Sequence, residues 1–484
     1  MTALGQISIA HAPAETRRRS AFWPLVGLVA LVGFGKAIQA DTMDPDAFWH
    51  LRVADQLLAD GIGPLVDRIS FASMKTPWAP YSWLAELFMH GLWNAGGFRL
   101  AQLVTAVCSA GILLLMAAIG RERSERKNDL AVVLLTAVAA LFTLPFISFR
   151  PVTFGLLLMA GVVLLLVRDR QKPSPAVWAV VPMTLLLTNL HLYAVLVVGI
   201  VWATAIGGWL DDRRHFKRNA LLAIATTLAA CATPMLPGAI ATALSYQSAD
   251  PMVASPFITE MRPFYWGTGG KVGLGLFLAG VGLCVWKRKS LNATDWLWLT
   301  IGTVLLWRLG RFSPVFAMLA MPAVARAFPT MTATALGKPL VRYAVLGVLA
   351  LGLLNVLPAL AENDFGKWLN RNNAAYPVAA ADFVEKNVPN RTHRLVNEFN
   401  WGGYLAWRFG DTHQVLMDGR TQLYSPEFWR STHLGDFAKR RALMQTVTAD
   451  AAILPAKDSA LSPALLDLGW REAYRDDLAV VLVP

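Results

Sequence analysis

Asp41-Thr-Met-Asp44-Pro45-Asp46-Ala-Phe48-Trp49-His50-Leu51 follows directly on the apolar run 22 to 40. Carboxylates gathered where an apolar span meets water, followed by an aromatic amphipathic segment, point to chemistry at a membrane face on a partly lipidic substrate. The same segment also reads as a helix start. Asp44 before Pro45 has the pattern of an N-cap followed by proline at the first helical position, and Asp46 in the first turn suits the helix dipole. For Asp44 capping and function are equal readings; for Asp46 function is favoured. Such a carboxylate serves as a general base on a hydroxyl or as a metal ligand. His50, four residues beyond Asp46, falls on the same helix face and joins the candidates, with a headgroup-layer histidine as the bland alternative.

The rest of the chain confirms the membrane setting. Of 484 residues 55% are hydrophobic and 16% charged, with a mean hydropathy of +0.44, which a soluble domain of this length does not tolerate. A hydrocarbon core about 30 Å thick takes roughly 20 apolar residues per helix. Apolar runs at 22 to 40, 99 to 119, 129 to 148, 152 to 167, 176 to 191, 192 to 210, 219 to 240, 271 to 286, 294 to 308, 312 to 328 and 340 to 360 predict about eleven spans. The fold class expected is an α-helical polytopic membrane protein.

The net charge of +12 does not indicate nucleic acid. Through Ala361 there are 30 Lys and Arg against 17 Asp and Glu, and from Glu362 onward 14 against 15, so the excess belongs to the membrane part. Arg17 to Arg19, Arg121 to Lys127, Arg168 to Lys172, Arg213 to Arg218, Lys287 to Lys289, and Arg326 to Arg342 fall in alternate loops, leaving Arg150, Arg262, Lys271, Arg308 and Arg311 on the other side. The positive-inside rule then puts the N-terminus in the cytoplasm of an inner-membrane protein, and the loop 41 to 98 and the C-terminal region outside. A cleavable signal peptide is a rival for the first span. Cys108, Cys231 and Cys284 all lie in predicted spans, so no disulfide framework or cysteine metal motif is expected.

The expected organisation is a basic tail at 1 to 21, a membrane domain at 22 to 361 and a small exterior α/β domain at 362 to 484. The loop 41 to 98 carries two amphipathic helices. One starts at Asp44 or Asp46, has Trp49, Val53 and Leu57 on one stripe, and ends at Gly61; the other runs from Tyr81 to Trp93 and is aromatic enough for the headgroup layer. The C-terminal part alternates helices near 378 to 388, 439 to 448 and 461 to 468 with strands near 394 to 399, 414 to 417, 451 to 454 and 479 to 483.

With this topology the cytoplasmic loops hold little beyond solvated basic runs, and the unusual polar residues all face outward. They are Asp41, Asp44, Asp46, His50, Asp67, Glu86, Arg150, His191, Glu260, Arg262, Arg308 and Arg311. Arg308 and Arg311, on the side where Lys and Arg are scarce, need a partner at such depth. A phosphate fits the bidentate arginine fork; snorkelling or pairing with a loop carboxylate is the alternative. Gly269-Gly-Lys-Val-Gly-Leu-Gly opens an apolar span and reads as helix packing rather than a phosphate loop. An exterior site without nucleotide machinery has no access to cytosolic activated donors, so an activated group has to arrive on a lipid.

Asp44-Pro45-Asp46-x-x-Trp49-His50-Leu51, then Pro64-x-x-Asp67-x-x-Ser70-Phe71, Pro77-Trp78 and Trp83-Leu84-x-Glu86 resemble a bacterial group of multispan GT-C glycosyltransferases, which move sugars from lipid-phosphate donors. Ser148-Phe-Arg150-Pro151, Asn189-Leu-His191, Thr259-Glu260, Asn400-Trp401-Gly402-Gly403-Tyr404 and Asp418-Gly419-Arg420 extend the likeness over most of the chain, although Met261 stands where the likeness calls for Trp. The resemblance implies a catalytic base at Asp46 or Asp44, with Asp41 third. It implies inversion at the anomeric carbon, and a departing phosphate held by Arg308, Arg311 and either Arg150 or His191. The implied partners are a polyprenyl-phosphate-linked sugar donor, a glycan, lipid or protein acceptor, and the membrane; a divalent cation, Mg or Mn, is left open, since relatives differ in cation dependence. A transporter or flippase is the main alternative, with charges near mid-span and interrupted helices as its signature, and a non-catalytic exterior scaffold is the third reading.

Overall fold

The computed structural model describes residues 21–40, 43–124, 128–245, 258–331, 338–361, 365–369 and 376–484. Thirteen helices precede residue 362 among these: α1 (Phe22–Ile38), α2 (Pro45–Asp60), α3 (Trp83–Arg123), α4 (Asp129–Thr143), α5 (Pro151–Gln171), α6 (Val180–Leu190), α7 (Ala194–Asp211), α8 (Phe216–Ala230), α9 (Leu236–Ser245), α10 (Gly267–Trp286), α11 (Ala293–Arg308), α12 (Ser313–Ala327) and α13 (Pro339–Val356). Among the described residues six helical segments are both long and apolar enough to cross a bilayer. α3 touches α1, α4, α5 and α12, and so forms the spine of the bundle.

Two departures from the expected spans have local causes. The run 219 to 240 breaks between α8 and α9, where Pro234 and Pro237 remove backbone donors and block a continuous helix. The second amphipathic pattern and the following span join as one 41-residue helix, α3, bent at Gly97, whose φ of 58° and ψ of −152° suit only glycine. The glycines of α10 also differ from expectation. A Cβ on Gly269 or Gly275 would meet nothing, and only Gly270 sits tightly, against the Tyr265 carbonyl. Nor are the basic loops merely solvated: Arg123 and Arg170 both pair with the buried Asp295, and Arg218 forks onto Asp169 at 2.7 Å.

A short helix, α14 (Phe365–Leu369), leads to the C-terminal part, where α15 (Val378–Asn387), α16 (Gly402–Phe409), α17 (Pro426–Ser431), α18 (Phe437–Thr446) and α19 (Ser462–Asp467) surround a sheet. The strands β1 (Arg394–Asn397), β2 (Gln414–Val415), β3 (Ala451–Pro455), β4 (Arg471–Arg475) and β5 (Ala479–Val483) lie in the order β2-β1-β3-β5-β4. β1 pairs in parallel with β2 and β3, and β5 runs antiparallel to β3 and β4. Both faces are covered, which is why β3 and β5 read as unbroken apolar runs. Leu395, Ile453 and Val481 face one cluster with α2, α15 and α16, while Val396, Ala452 and Leu482 face another with α17 and α19. β4 was not anticipated, because its residues Arg471-Glu-Ala-Tyr-Arg475 are mostly exposed at the sheet edge.

The first loop is folded into this sheet rather than laid beside it. Phe71 N donates to Val415 O at 3.0 Å and Val415 N to Ile69 O at 3.1 Å, so residues 69 to 71 extend the β2 edge. Asp67 caps that segment, accepting from the backbone N–H groups of Ile69 and Ser70 at 3.1 Å. It also accepts from Arg420 Nη1 at 2.8 Å, and Arg420 Nε donates to Asp418 at 2.9 Å. All three side chains are buried.

Removing a buried guanidinium leaves carboxylates uncompensated, at a typical cost of about 3–5 kcal/mol. Arg420→Leu is therefore expected to lower the apparent melting temperature of the purified protein sharply, read by thermal scanning in detergent; a melt equal to wild type would remove this ion pair from the stabilising set.

Candidate active site

The local sequence sets α2 in place. Asp44 is its N-cap, with Oδ1 accepting from Asp46 N at 3.0 Å; Pro45 opens the helix, and Gly61 closes it at a φ of 94°. The capping reading of Asp44 thus holds, while Asp44 Oδ2 is left to face inward. The backbone just ahead is tied by two C-terminal side chains: Trp368 Nε1 donates to Ala40 O at 3.0 Å and the Tyr376 hydroxyl to Met43 O at 2.7 Å.

Glycines of the C-terminal part let the sheet approach α2. A Cβ on Gly403 would stand 2.5 Å from Pro45 O, and one on Gly419 2.3 Å from Asp46 Oδ1 and 2.8 Å from Trp49 Nε1. Asn400-Trp401-Gly402-Gly403-Tyr404 leads into a helix. It opens α16, where Gly403 clears room for α2 and Gly402 for the Met417 carbonyl. Likewise Gly310, between Arg308 and Arg311, lets that turn contact Arg262 O, to which its N–H donates at 3.2 Å.

Arg150 is the hub. As the residue before Pro151 it is held extended, at φ −143° and ψ 160°, and this aims it across the end of the bundle. Its Nη1 donates to Asp46 Oδ2 at 2.9 Å, its Nη2 pairs with Glu260, and its Nε lies 3.3 Å from Asp44 Oδ2 and 3.0 Å from Ser148 Oγ. Trp49 Nε1 donates to the other Asp46 oxygen at 2.9 Å. Asp46 keeps 32% of its side chain open, facing a cavity of about 370 Å³. That cavity is also lined by Asp44, His50, Arg150, His191, Glu260 and Arg311, and on the C-terminal side by Asn400, Thr421 and Gln422.

Burial sets the electrostatics here. It lifts the Asp46 carboxyl to about 6, with Asp44 and Glu260 adding to the rise and Arg150 and Trp49 opposing it. For Glu260 burial pushes the same way but is outweighed by Arg150 and Arg311, which hold it below the ordinary range. For Arg150 burial is outweighed by Asp44, Glu260 and Asp46, so its proton is held more firmly than usual. Burial, with arginines nearby, lowers His50 well below its usual value and His191 to about 3, so both imidazoles are neutral.

Seven of the expected residues thus share one cavity. Arg308 lines an adjoining apolar cavity of about 460 Å³, which shares Tyr81, His191 and Arg311 with the first. Glu86 is buried behind the site, with Oε1 3.0 Å from His50 Nδ1. Asp67 is not brought to the cavity, being held by Arg420 as described, and Asp41 lies outside the described residues. A third cavity, about 340 Å³, meets the other side of Asp44 and Pro45 and is lined by Lys36, Gln102 and Ser109. Lys36 went unremarked in the sequence, though a lone charge within an apolar run is a signal in itself. Asn400 was noticed without a role, and Thr421 and Gln422 carry no local signal.

The fold is of the GT-C class, as its likeness to solved structures shows, and its apolar helices are those of a multi-pass membrane protein. Among solved structures the chain is similar to the oligosaccharyltransferase AglB of Archaeoglobus fulgidus in complex with an inhibitory peptide and a dolichol-phosphate. The identity is 10%, over 90% of this chain and 69% of that one, with a TM-score of 0.57. The apo form of the Archaeoglobus fulgidus oligosaccharyltransferase aligns at 11% identity over 90% and 70%, TM-score 0.52. ArnT from Cupriavidus metallidurans bound to undecaprenyl phosphate aligns at 14% over 95% and 97%, TM-score 0.48. No family model matches the chain, and no curated protein sequence does.

Because the folded carboxyl of Asp46 holds its proton up to about 6, its ionisation costs stability as pH rises through that value. Burial raises the Glu86 carboxyl to about 8, so the protonated-carboxyl infrared band is expected to titrate in two parts, and the part with a midpoint near pH 6 is expected to be missing from Asp46→Asn. A band lost only near the ordinary carboxylate range would contradict the burial described.

Proposed function

We propose that the protein is a membrane glycosyltransferase that moves a sugar from a polyprenyl-phosphate-linked donor to an acceptor hydroxyl, with inversion, on the outer face of the cytoplasmic membrane. One observation carries the reading: Asp46, with its raised pKa, lies on the floor of a polar cavity whose arginine wall continues into an apolar groove. The fold shared with a protein solved with a dolichol-phosphate supports it.

In this reading the lipid chain lies along the groove of Leu192, Tyr193, Leu309 and Phe312, and its phosphate meets Arg311 and Arg308. Asp46 takes the proton of the acceptor hydroxyl as the oxygen attacks the anomeric carbon. The bond from that carbon to the phosphate oxygen breaks, and the electron pair leaves with the phosphate, whose charge the arginines hold. Phosphate is a good leaving group, so no strong general acid is needed. His191, neutral, donates a hydrogen bond to the phosphate, and the acceptor approaches Asp46 past Asn400 and Gln422. The N-terminus is cytoplasmic, and the C-terminal sheet closes the site from outside.

The transporter alternative has features of its own in Lys36 within α1 and the break between α8 and α9. Gene deletion with mass spectrometry of envelope glycans and lipid-linked sugars separates the two. A lost sugar with accumulated donor supports transfer, whereas unchanged glycans with altered uptake or export support transport.

Asp46→Asn is expected to abolish sugar transfer from extracted lipid-linked donor while the chain stays monodisperse, a loss of at least about 10²-fold for a general base. In wild type the rate should rise as pH passes about 6 and then level off, because only ionised Asp46 accepts a proton. Undiminished transfer by Asp46→Asn removes Asp46 from the mechanism.

A further inference from the structure

Asp44, Asp46 and Glu260 converge from α2 and from the segment ahead of α10, a pattern of carboxylates that invites a divalent cation. Among the described residues no group of three His, Cys, Asp or Glu side chains is arranged to hold one. The cause lies in the geometry: all three carboxylates are turned to a single side chain, and each nitrogen of the Arg150 guanidinium faces a different one. Nε faces Asp44 at 3.3 Å, Nη1 faces Asp46 at 2.9 Å and Nη2 faces Glu260.

We infer that the guanidinium of Arg150 stands where a divalent cation would otherwise be held, so that the site is built around a covalently attached cation and requires no metal. This deepens the proposed function, on which its catalytic meaning rests.

Three observations carry the inference. First, oxygens spread around the rim of a planar guanidinium surround its central carbon. A Mg²⁺ ion instead requires its ligands at about 2.0–2.1 Å from one point, so the two cannot share the space. Second, Arg150 is built in rather than swung in. Pro151 fixes its backbone, Ser148 Oγ accepts from Nε, and the side chain is 10% exposed. Third, the charge comes near to balance: three carboxylates meet Arg150, and Arg311, lining the same cavity, adds a second positive charge acting on Glu260. Only an arginine could do this. A lysine ammonium is a point charge without the planar fork that addresses three partners at once.

The substitution changes what the site can do. A bound metal exchanges, depends on supply and offers open coordination positions to a substrate phosphate. Arg150 stays charged at any physiological pH, cannot be removed by a chelator, and directs both Nη groups at carboxylates and its Nε–H at Ser148. It therefore acts as a positioning residue that aims Asp46, and the donor phosphate is left to Arg308 and Arg311.

The test is metal binding, which needs no sugar substrate and so can fail while the transferase reading stands, or succeed while it falls. The full-length protein in detergent, stripped with chelator, is titrated with MnCl₂ while free Mn²⁺ is followed by electron paramagnetic resonance. Wild type is expected to leave the free signal undiminished and to melt at the same temperature with chelator or with Mn²⁺. Arg150→Ala, which frees the three carboxylates, is expected to take up stoichiometric Mn²⁺, and Arg150→Ala with Glu260→Gln to lose that uptake. Stoichiometric Mn²⁺ binding by wild type that disappears in Glu260→Gln would overturn the inference. So would an Arg150→Ala protein that elutes as wild type does and takes up none. Should that variant not fold, the wild-type titration decides alone.

Discussion

Everything at the working end of this molecule depends on one constraint: the N-terminus of α2 is gripped from both sides, by Arg150 of the membrane bundle and by close-packed glycines of the C-terminal part. On the bundle side Arg150 grips the carboxylates of Asp44 and Asp46. On the sheet side Gly403 and Gly419 lie where any side chain would collide with Pro45, Asp46 or Trp49. A carboxylate pinned in this way loses water and keeps its direction, and both effects show in its raised pKa and its two fixed oxygen partners.

The close fit also explains why the loop after α1 is long. It has two tasks besides carrying Asp46. One is to supply residues 69 to 71 as an added edge to the sheet; the other is to present Asp67 to the buried Arg420. The bundle, the loop and the sheet thus share one apolar cluster running from Met89 and Phe98 through Phe48 and Trp49 to Leu395 and Val481. That cluster joins bundle and sheet beside the cavity, across the division at residue 362 that the sequence suggests.

What could be read from the residues was what is local. Asp44-Pro45 at one end of α2 and Gly61 at the other are capping chemistry, and both ends lie where that chemistry puts them. The continuous apolar runs of β3 and β5 announced buried strands. What could not be read is what depends on distant partners. Nothing near Arg150 points to Glu260, 110 residues away, and nothing in Ser70 points to Val415. Gly403 and Gly419 give no local sign of their use for a related reason. Glycine commonly marks a turn, but here it serves an approach between elements far apart in the chain, and that purpose leaves no local trace. Asp67 and Glu86 were expected at the substrate because they are acidic and lie in the right loop; one is tied to Arg420 and the other to His50 instead.

The strand added by residues 69 to 71 has a consequence in time. Its partners in β2 are made some 346 residues later, judging by the bond from Ser70 to Leu416, and closing so long a loop is slow compared with forming a helix. During synthesis the helices can enter the bilayer in order, but α2 has no sheet to rest on until the last quarter of the chain emerges. The sheet-side wall of the cavity is thus added last, after the residues that Arg150 gathers are already made. A nascent chain interrupted before β2 would lack Gly419, Thr421 and Gln422, and with them one wall of the cavity.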